Sequence, residues 1–535
     1  MYVHQAIARA LADEGVDTVF GLMGDANLFL SDSYARGHGR FIAVAHEAGA
    51  VLAASGYSRA SGRVGVATVT HGPAVTNIVT PLVEAVRSRT PIVVVAGDTP
   101  FTDRDGLQNI DQRSVTGPSG AGFEQLRSAA TLTTDVHRAF RRARTERRPI
   151  ILNVPIDLQW QEVDYVPAAR LDVVAQPGRP GEEALDAALG VIASARRPVV
   201  LAGVGVRRSG ARDAVLALAR RIGAPVATTL KARGLYADEP ENLGIFGTLS
   251  DERTTGVLDQ ADCVVVLGAA LTKWTTAEGA LLDGRRVVHV DSDATALNEH
   301  VAVDVPVVGD AATLAEEIVR MLDEAEIEPT GFADRLPPVA EVVPGPVLTS
   351  TGTLQLHHVL RRLDAELPDP RHITLDCGRY FFHAAPLVDT GRDGYYLHTV
   401  EFGSIGLGMG TAIGVAAVDP GSASVLICGD GGFMLGGLTE FNTAVRHELD
   451  VVVVILNDGA YGAEHIQFVD RGMDPSMSEF SWPELADVAT ALGGTGFAVH
   501  TDADLTAALV GIEERTGPVL VNIHLDPNGI TSAPD

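Results

Sequence analysis

Two aspartates, Asp430 and Asp458, stand 28 residues apart, each in a glycine-rich setting. The first is in Gly429-Asp430-Gly431-Gly432 and the second in Asn457-Asp458-Gly459-Ala460-Tyr461-Gly462. Hard divalent cations such as Mg2+ take oxygen ligands and commonly bridge to phosphates. Glycine lets a backbone approach a ligand closely. Asp430, Asp458 and the carbonyl of Ala460 therefore read as the ligands of a Mg2+ that holds a diphosphate. A lone Gly-Asp-Gly is ordinarily a tight turn; the pair is more specific because of the elements that carry it.

Each segment closes an apolar run, residues 423–428 and 451–456, of the kind that forms a buried parallel strand. Between them Leu438, Phe441, Ala444, Val445 and Glu448 recur at helical spacing. The unit is strand, loop, helix, strand, loop. Both loops then lie at the carboxyl ends of parallel strands, where open α/β sheets bind ligands. Further upstream, Phe402-Gly403-Ser404-Ile405-Gly406 leads into a Gly/Ala-rich helix.

The chain begins with a helical pattern over 2–13 and a short strand ending at Gly21. A strand over 41–44 runs into His46-Glu47-Ala48-Gly49, the start of an Ala-rich helix whose small side chains allow close backbone approach. Glu47 in that first turn is either a charge favoured by the helix dipole or a functional acid. A strand over 64–69 precedes His71-Gly72-Pro73, then a helix to residue 89 and a strand over 91–96.

The succession His46-Glu47-Ala48-Gly49, Gly56-Tyr57-Ser58-Arg59, Gly72-Pro73 with Thr76-Asn77, and Pro91-Ile92-Val93 resembles the pyrimidine-binding domain of thiamine-diphosphate enzymes. The likeness is to the group of acetolactate synthase, benzoylformate decarboxylase and benzaldehyde lyase. The paired Asp430 and Asp458 segments resemble that family's metal and diphosphate motif. Two departures stand out. Asp458 replaces the family's second Asn, and residues 432–439 are one residue longer.

The resemblance implies a fold and a set of roles. The fold is α/β, with three doubly wound parallel-sheet domains at 1–165, 180–325 and 350–535. The first and third would bind thiamine diphosphate between subunits, so a homodimer or homotetramer is expected. Glu47 would hydrogen-bond N1′ of the aminopyrimidine. The carbonyl of Gly403 would accept from the 4′-amino group, and Ile405 would prop the cofactor into a V shape. Gly429, Asp430, Gly431, Gly432, Asp458, Ala460, Tyr461 and Gly462 would hold the diphosphate and Mg2+. Gln108 would face the reacting carbons, or else lie on a surface loop. His71 would carry protons, or else cap the following helix. Ala26 stands where benzaldehyde lyase has a histidine.

Residues 198–202, 225–229, 262–267 and 286–291 read as strands of a middle α/β unit, flanked by proline-bearing linkers that include Pro177 and Pro344. Gly203-Val204-Gly205 resembles a dinucleotide turn, but Arg208 takes the place of the third glycine. The Arg-Phe-Asp-Asp-Arg signature is missing after Gly268, so FAD is not expected.

Composition agrees with a large soluble protein. The 535 residues carry a formal charge of −28, which argues against nucleic acid and anionic membranes as partners. Three cysteines give no disulfide framework; all three read as small buried hydrophobes in a reducing cytoplasm. No signal peptide is expected from the N-terminal residues. The expected activity is a thiamine-diphosphate- and Mg2+-dependent carboligase or lyase acting on 2-oxo acids or acyloins, acetolactate-synthase-like. A simple 2-oxo acid decarboxylase, a benzaldehyde-lyase-type enzyme and a non-catalytic homologue are the alternatives. Tyr380, Phe381, Phe382 and His383 read as an aromatic pocket lining or as core.

Overall fold

Valine-rich runs become the central strands. In Val451–Asn457 all seven residues are buried, as a parallel strand covered on both faces requires. The computed structural model describes residues 1–103, 105–168, 178–339, 345–390 and 394–530; Pro177 and Pro344 lie outside the described residues. The chain divides into two compact units. One comprises Met1–Arg170, Gly345–Ala384 and Leu397–Asp535, and the other Leu171–Pro344 and Ala385–Tyr396.

The first unit holds two six-stranded sheets. Across the first, the strands run Arg40–Ala43, Thr18–Gly21, Gly65–Val69, Ile92–Asp98, Pro149–Pro155, Gly122–Gln125. Across the other they run Tyr396–His398, Arg371–Leu375, Ala423–Gly429, Val451–Asn457, Val519–His524, Thr495–Val499. Numbered by appearance within each sheet, both have the order 2-1-3-4-6-5. The two sheets are thus topological copies, and in each the strand order reverses between strands 1 and 3. In the second copy that crevice lies beyond Leu375 and Gly429. Open sheets bind ligands at such a switch point.

Two Gly/Ala-rich helices, Glu47–Ser61 and Gly408–Ala416, join the copies. A Cβ on Gly414 would lie 1.9 Å from the Ala53 carbonyl oxygen, and one on Gly56 would lie 2.1 Å from that of Thr411. Small residues here let two backbones touch. One hydrophobic core, including Phe20, Val51, Ile413, Phe441 and Val453, runs through both copies.

The other unit has the strand order Val305–Val308, Arg286–Asp291, Cys263–Leu267, Pro198–Ala202, Val226–Thr228, Asn242–Ile245. Counted from its first strand this is 3-2-1-4-5-6 read from the far edge, the doubly wound dinucleotide-fold order. Gly203 and Gly205 answer to packing: a Cβ on Gly203 would meet the Gly268 carbonyl oxygen at 2.1 Å.

The helix expected through Glu448 ends at Arg446. Glu448 adopts a positive φ of 51° as the chain turns to enter the strand at Val451. The helix expected up to residue 89 is two helices, Pro73–Asn77 and Val79–Arg87. Cys263 and Cys428 are buried as expected, whereas Cys377 is half-buried on the rim of a cavity. Among the described residues, no helix is long and apolar enough to cross a membrane.

Candidate active site

Both copied sheets carry their chemistry-bearing residues beyond the carboxyl ends of strands. In the second copy these loops enclose a cavity of about 450 Å3. Gly429, Asp430, Gly431 and Gly432 form one wall, directly after the strand Ala423–Gly429. Ala460, Tyr461 and Gly462 form another, and Gly403 and Ile405 a third. Gly378, Arg379, Tyr380 and Phe381 close the fourth side. Two of these glycines are sterically required: a Cβ on Gly431 would lie 2.5 Å from the Tyr461 ring, and one on Gly462 would lie 2.5 Å from Arg379 Nε.

The segment after Gly432 forms a π-helical turn, Phe433–Gly437. A π-turn takes one more residue than an α-turn, and such bulges gather at functional sites. Its Gly436 lies against the Gly406 carbonyl, where a Cβ would come within 2.2 Å. The π-turn thus lies against the loop that bears Gly403 and Ile405.

Asp376, fully buried after the strand Arg371–Leu375, fixes the same loop. Its carboxylate accepts from Gly406 N at 2.7 Å, Leu407 N at 3.2 Å and Thr399 Oγ1 at 2.8 Å. Burial raises the pKa of Asp376, while these hydrogen bonds act to lower it.

Asp430 Oδ2 accepts from the indole Nε1 of Trp482 at 2.6 Å. Its Oδ1 is buried without a hydrogen-bond partner. Burial, and then the negative charge of nearby Asp458, push the Asp430 carboxyl up to about 7, against the lowering effect of Trp482. Two carboxylates crowded in this way favour a cation between them.

Asp458 stands behind the cavity wall. Its Oδ1 accepts from Ala460 N at 3.2 Å, and its Oδ2 accepts from the guanidinium of Arg379. Arg379 also donates to the Pro527 carbonyl at 3.0 Å, leaving its buried Nε without a partner. The Tyr380 hydroxyl is likewise buried and unpartnered. The cavity thus offers two unpaired donors and one unpaired carboxylate oxygen. That set fits a diphosphate with a divalent cation: the donors suit phosphate oxygens and Asp430 Oδ1 suits the metal.

A brace holds the second loop. Phe480 N donates to the Gly459 carbonyl at 2.7 Å, and Tyr461 N to the Ser478 carbonyl at 2.9 Å. Phe480 stacks on Trp482 with ring centroids 4.9 Å apart, and meets the Tyr461 ring edge-on. Asn457 shapes the turn by accepting from Gly459 N at 3.0 Å.

The three remaining candidates belong to the first sheet copy and do not line this cavity. Glu47 opens its helix and accepts from Asn77 Nδ2 at 3.0 Å. His71 is buried, with Nδ1 3.2 Å from Thr70 Oγ1 and 3.6 Å from Asp25 Oδ1. It does not cap the following helix, whose N-cap is Gly72. Gln108 packs its backbone against Gly72, and its Oε1 is buried without a partner. Of the aromatic run, Tyr380 and Phe381 face the cavity, while His383 is buried against His357.

The two copies support each other's loops reciprocally. Glu440 accepts from Ala45 N at 3.2 Å and His46 N at 2.9 Å, the two residues before Glu47. Glu84 accepts from Glu401 N at 3.4 Å and Phe402 N at 2.8 Å, the two residues before Gly403. Arg379, Asp376, Trp482, Glu84 and Glu440 carry no local motif; only the Asp-for-Asn change at 458 hinted at a compensating cation.

Three family models match the chain in order. They are the N-terminal thiamine-pyrophosphate-binding domain over residues 1–115, the central domain of thiamine pyrophosphate enzymes over 185–318, and the C-terminal thiamine-pyrophosphate-binding domain over 376–523. The chain is 27% identical to a probable acetolactate synthase large subunit of Methanocaldococcus jannaschii, across 98% of this chain and 92% of that one. It is 29% identical to an acetolactate synthase of Mycobacterium bovis, over 94% and 84% of the two chains. It is also 29% identical to an acetolactate synthase large subunit of Parasynechococcus marenigrum, over 97% and 87%. With its three domains in this order and these relatives, the chain belongs to the thiamine-diphosphate-dependent enzymes of the acetolactate synthase family.

Proposed function

We propose that the protein is a Mg2+-assisted carboligase that joins or cleaves carbon–carbon bonds beside a carbonyl in 2-oxo acids or acyloins. The observation that carries this reading is the set of unpaired buried groups in the cavity: Asp430 Oδ1, Arg379 Nε and the Tyr380 hydroxyl. They are a diphosphate–metal cradle in the donor set they offer. Asp430, Asp458 and the carbonyl of Ala460 would hold the metal. Gly403 and Ile405 would face the rest of the cofactor.

When bound, thiamine diphosphate supplies the electron sink for a carbanion beside a carbonyl, which side chains cannot provide. Glu47 would hold a proton at its carboxylate, facing N1′ of the bound aminopyrimidine. Asn77 orients that carboxylate. His71 and Gln108 line the substrate side of the site and position the reacting carbonyl. These three belong to the first sheet copy and do not line the cavity of their own chain, which supports a complete site that combines the first domain of one copy with the third domain of another. The working unit is then a homodimer or a dimer of dimers.

The test is product formation from pyruvate by the purified protein, with and without thiamine diphosphate and Mg2+, following CO2 and acetolactate together. Cofactor-dependent acetolactate is the expected outcome. CO2 with free acetaldehyde would instead assign a decarboxylase. Neither product from a cofactor-loaded protein would exclude pyruvate as donor and move the search to larger 2-oxo acids and acyloins.

A further inference from the structure

The last two strands of the third sheet end in histidines at adjacent positions. Thr495–Val499 and Val519–His524 are parallel, with Val499 paired to Ile523, so His500 and His524 lie side by side. Their rings stack with centroids 4.1 Å apart and 13° between planes. Glu484, the N-cap of the helix Leu485–Ala491, approaches the same point, with Oε2 2.9 Å from His524 Nε2. One ligand atom from each of the three lies within 4.8 Å of the others.

We propose that Glu484, His500 and His524 form a second cation site, separate from the diphosphate cradle, for a borderline transition metal of the Zn2+ kind. Two imidazoles and one carboxylate are a donor set that Zn2+ takes, with a water in the fourth tetrahedral position. Carboxylate-and-water sites suited to Mg2+ lack the imidazoles. Bonds of about 2.1 Å require donor atoms about 3.4 Å apart. The exposed His500 can reach that spacing by rotating its side chain.

The surroundings hold the ligands in place. Asn522 Nδ2 donates to Glu484 Oε1 at 2.7 Å, and Ala486 N donates to the same oxygen at 3.0 Å. Asp504 accepts from His500 N at 3.1 Å, fixing the backbone of that ligand. Supports of this kind orient metal ligands. Burial acts to raise the Glu484 carboxyl, yet bonds from Ala486, Asn522 and His524 outweigh it and leave the group ionised more readily than usual.

The site also touches the diphosphate cradle through one residue. Asn522 Oδ1 accepts from Asn457 Nδ2 at 3.0 Å, and Asn457 shapes the turn that carries Asp458. Metal at the second site would therefore stiffen the loop behind the first.

Co2+ is the probe. The full chain is first saturated with thiamine diphosphate and excess Mg2+, then titrated with Co2+, reading both the visible absorption of tetrahedral Co2+ and the metal retained after gel filtration. The wild type is expected to retain one more Co2+ per chain than His500→Ala. The tetrahedral absorption should vanish in that variant and bleach when Zn2+ is added. Asn522→Ala should weaken Co2+ about 10–100-fold. Equal Co2+ retention by wild type and His500→Ala would overturn the site, as would an octahedral spectrum in both. His500 is exposed, so its removal leaves the fold intact. The readout is metal content, so it stands whether or not pyruvate is a substrate.

Discussion

The guanidinium of Arg379 donates to the carboxylate of Asp458, and the two side chains are only 2% and 1% exposed. This pair resolves the oddest feature of the motif. Asp458 brings a negative charge to the cavity wall, and Arg379, 79 residues earlier, brings a positive one that meets it.

Breaking a buried pair from one side strands a charge, at a cost of about 3–5 kcal/mol. Removing both sides together is often neutral. Asp458→Asn and Arg379→Gln are therefore each expected to lower stability to urea by about that amount, and the double variant to recover most of it. The double-mutant cycle measures the coupling directly. Purely additive losses would show that Arg379 and Asp458 act independently.

Trp482 aims Asp430. Its indole occupies Oδ2 and leaves Oδ1 facing the cavity. Trp482→Phe keeps the stacking on Phe480 and deletes the donor. A hydrogen bond to a charged group is worth about 1.5–3 kcal/mol. Mn2+ binding in the presence of thiamine diphosphate, followed by electron paramagnetic resonance, should weaken about 10–100-fold. Unchanged Mn2+ affinity would leave the indole as packing only.

Glu84 and Glu440 give the fold a pH signature. Burial raises both carboxyls above the usual range, more than their backbone partners lower them. A carboxyl with a raised folded pKa contributes stability that is complete below the unfolded value of about 4.3 and is lost as pH rises through the folded value. Wild-type stability should thus decline relative to Glu84→Gln and Glu440→Gln as pH rises above the unfolded value of about 4.3. Chemical denaturation across that range reads the difference. Glu440→Ala should behave differently, costing about 1–3 kcal/mol at every pH because the amides of Ala45 and His46 lose their acceptor.

What the sequence made legible follows from where the signal resides. Asp430 and Asp458 are local: each follows an apolar run and sits among glycines, of which Gly431 and Gly462 are demanded by packing. The duplicated α/β pattern was visible because central strands such as Val451–Asn457 are apolar throughout. Two edge strands were not, although the edge strand Arg40–Ala43 was. Val305–Val308 alternates buried and exposed residues, and Thr495–Val499 is half-exposed, so neither stands out from its loop. Arg379, Trp482, Glu84 and Glu440 act across 52 to 395 residues of sequence, and no spacing rule reaches that far. The π-turn Phe433–Gly437 that seats Gly436 on Gly406 has no signal in the residue spacing and needed the backbone.

Whether two chains share each site can be decided by mixing. Glu47→Gln removes the carboxylate proposed to hold the N1′ proton and leaves the cradle untouched. Turnover should fall about 10²–10⁴-fold while thiamine diphosphate binding stays near wild type. Asp430→Ala removes the proposed metal ligand and should abolish cofactor retention. Each variant alone is then inactive. If the variants are unfolded and refolded together, a mixed dimer contains one site with Glu47 from one chain and Asp430 from the other, intact on both sides. Half the chains' pairings are mixed and each has one of two sites restored, so recovery of about a quarter of wild-type activity is expected. Refolded separately, neither variant should recover any. If the mixture stayed as inactive as its parts, while each variant still dimerised, Glu47 and Asp430 would have to serve the same chain's site.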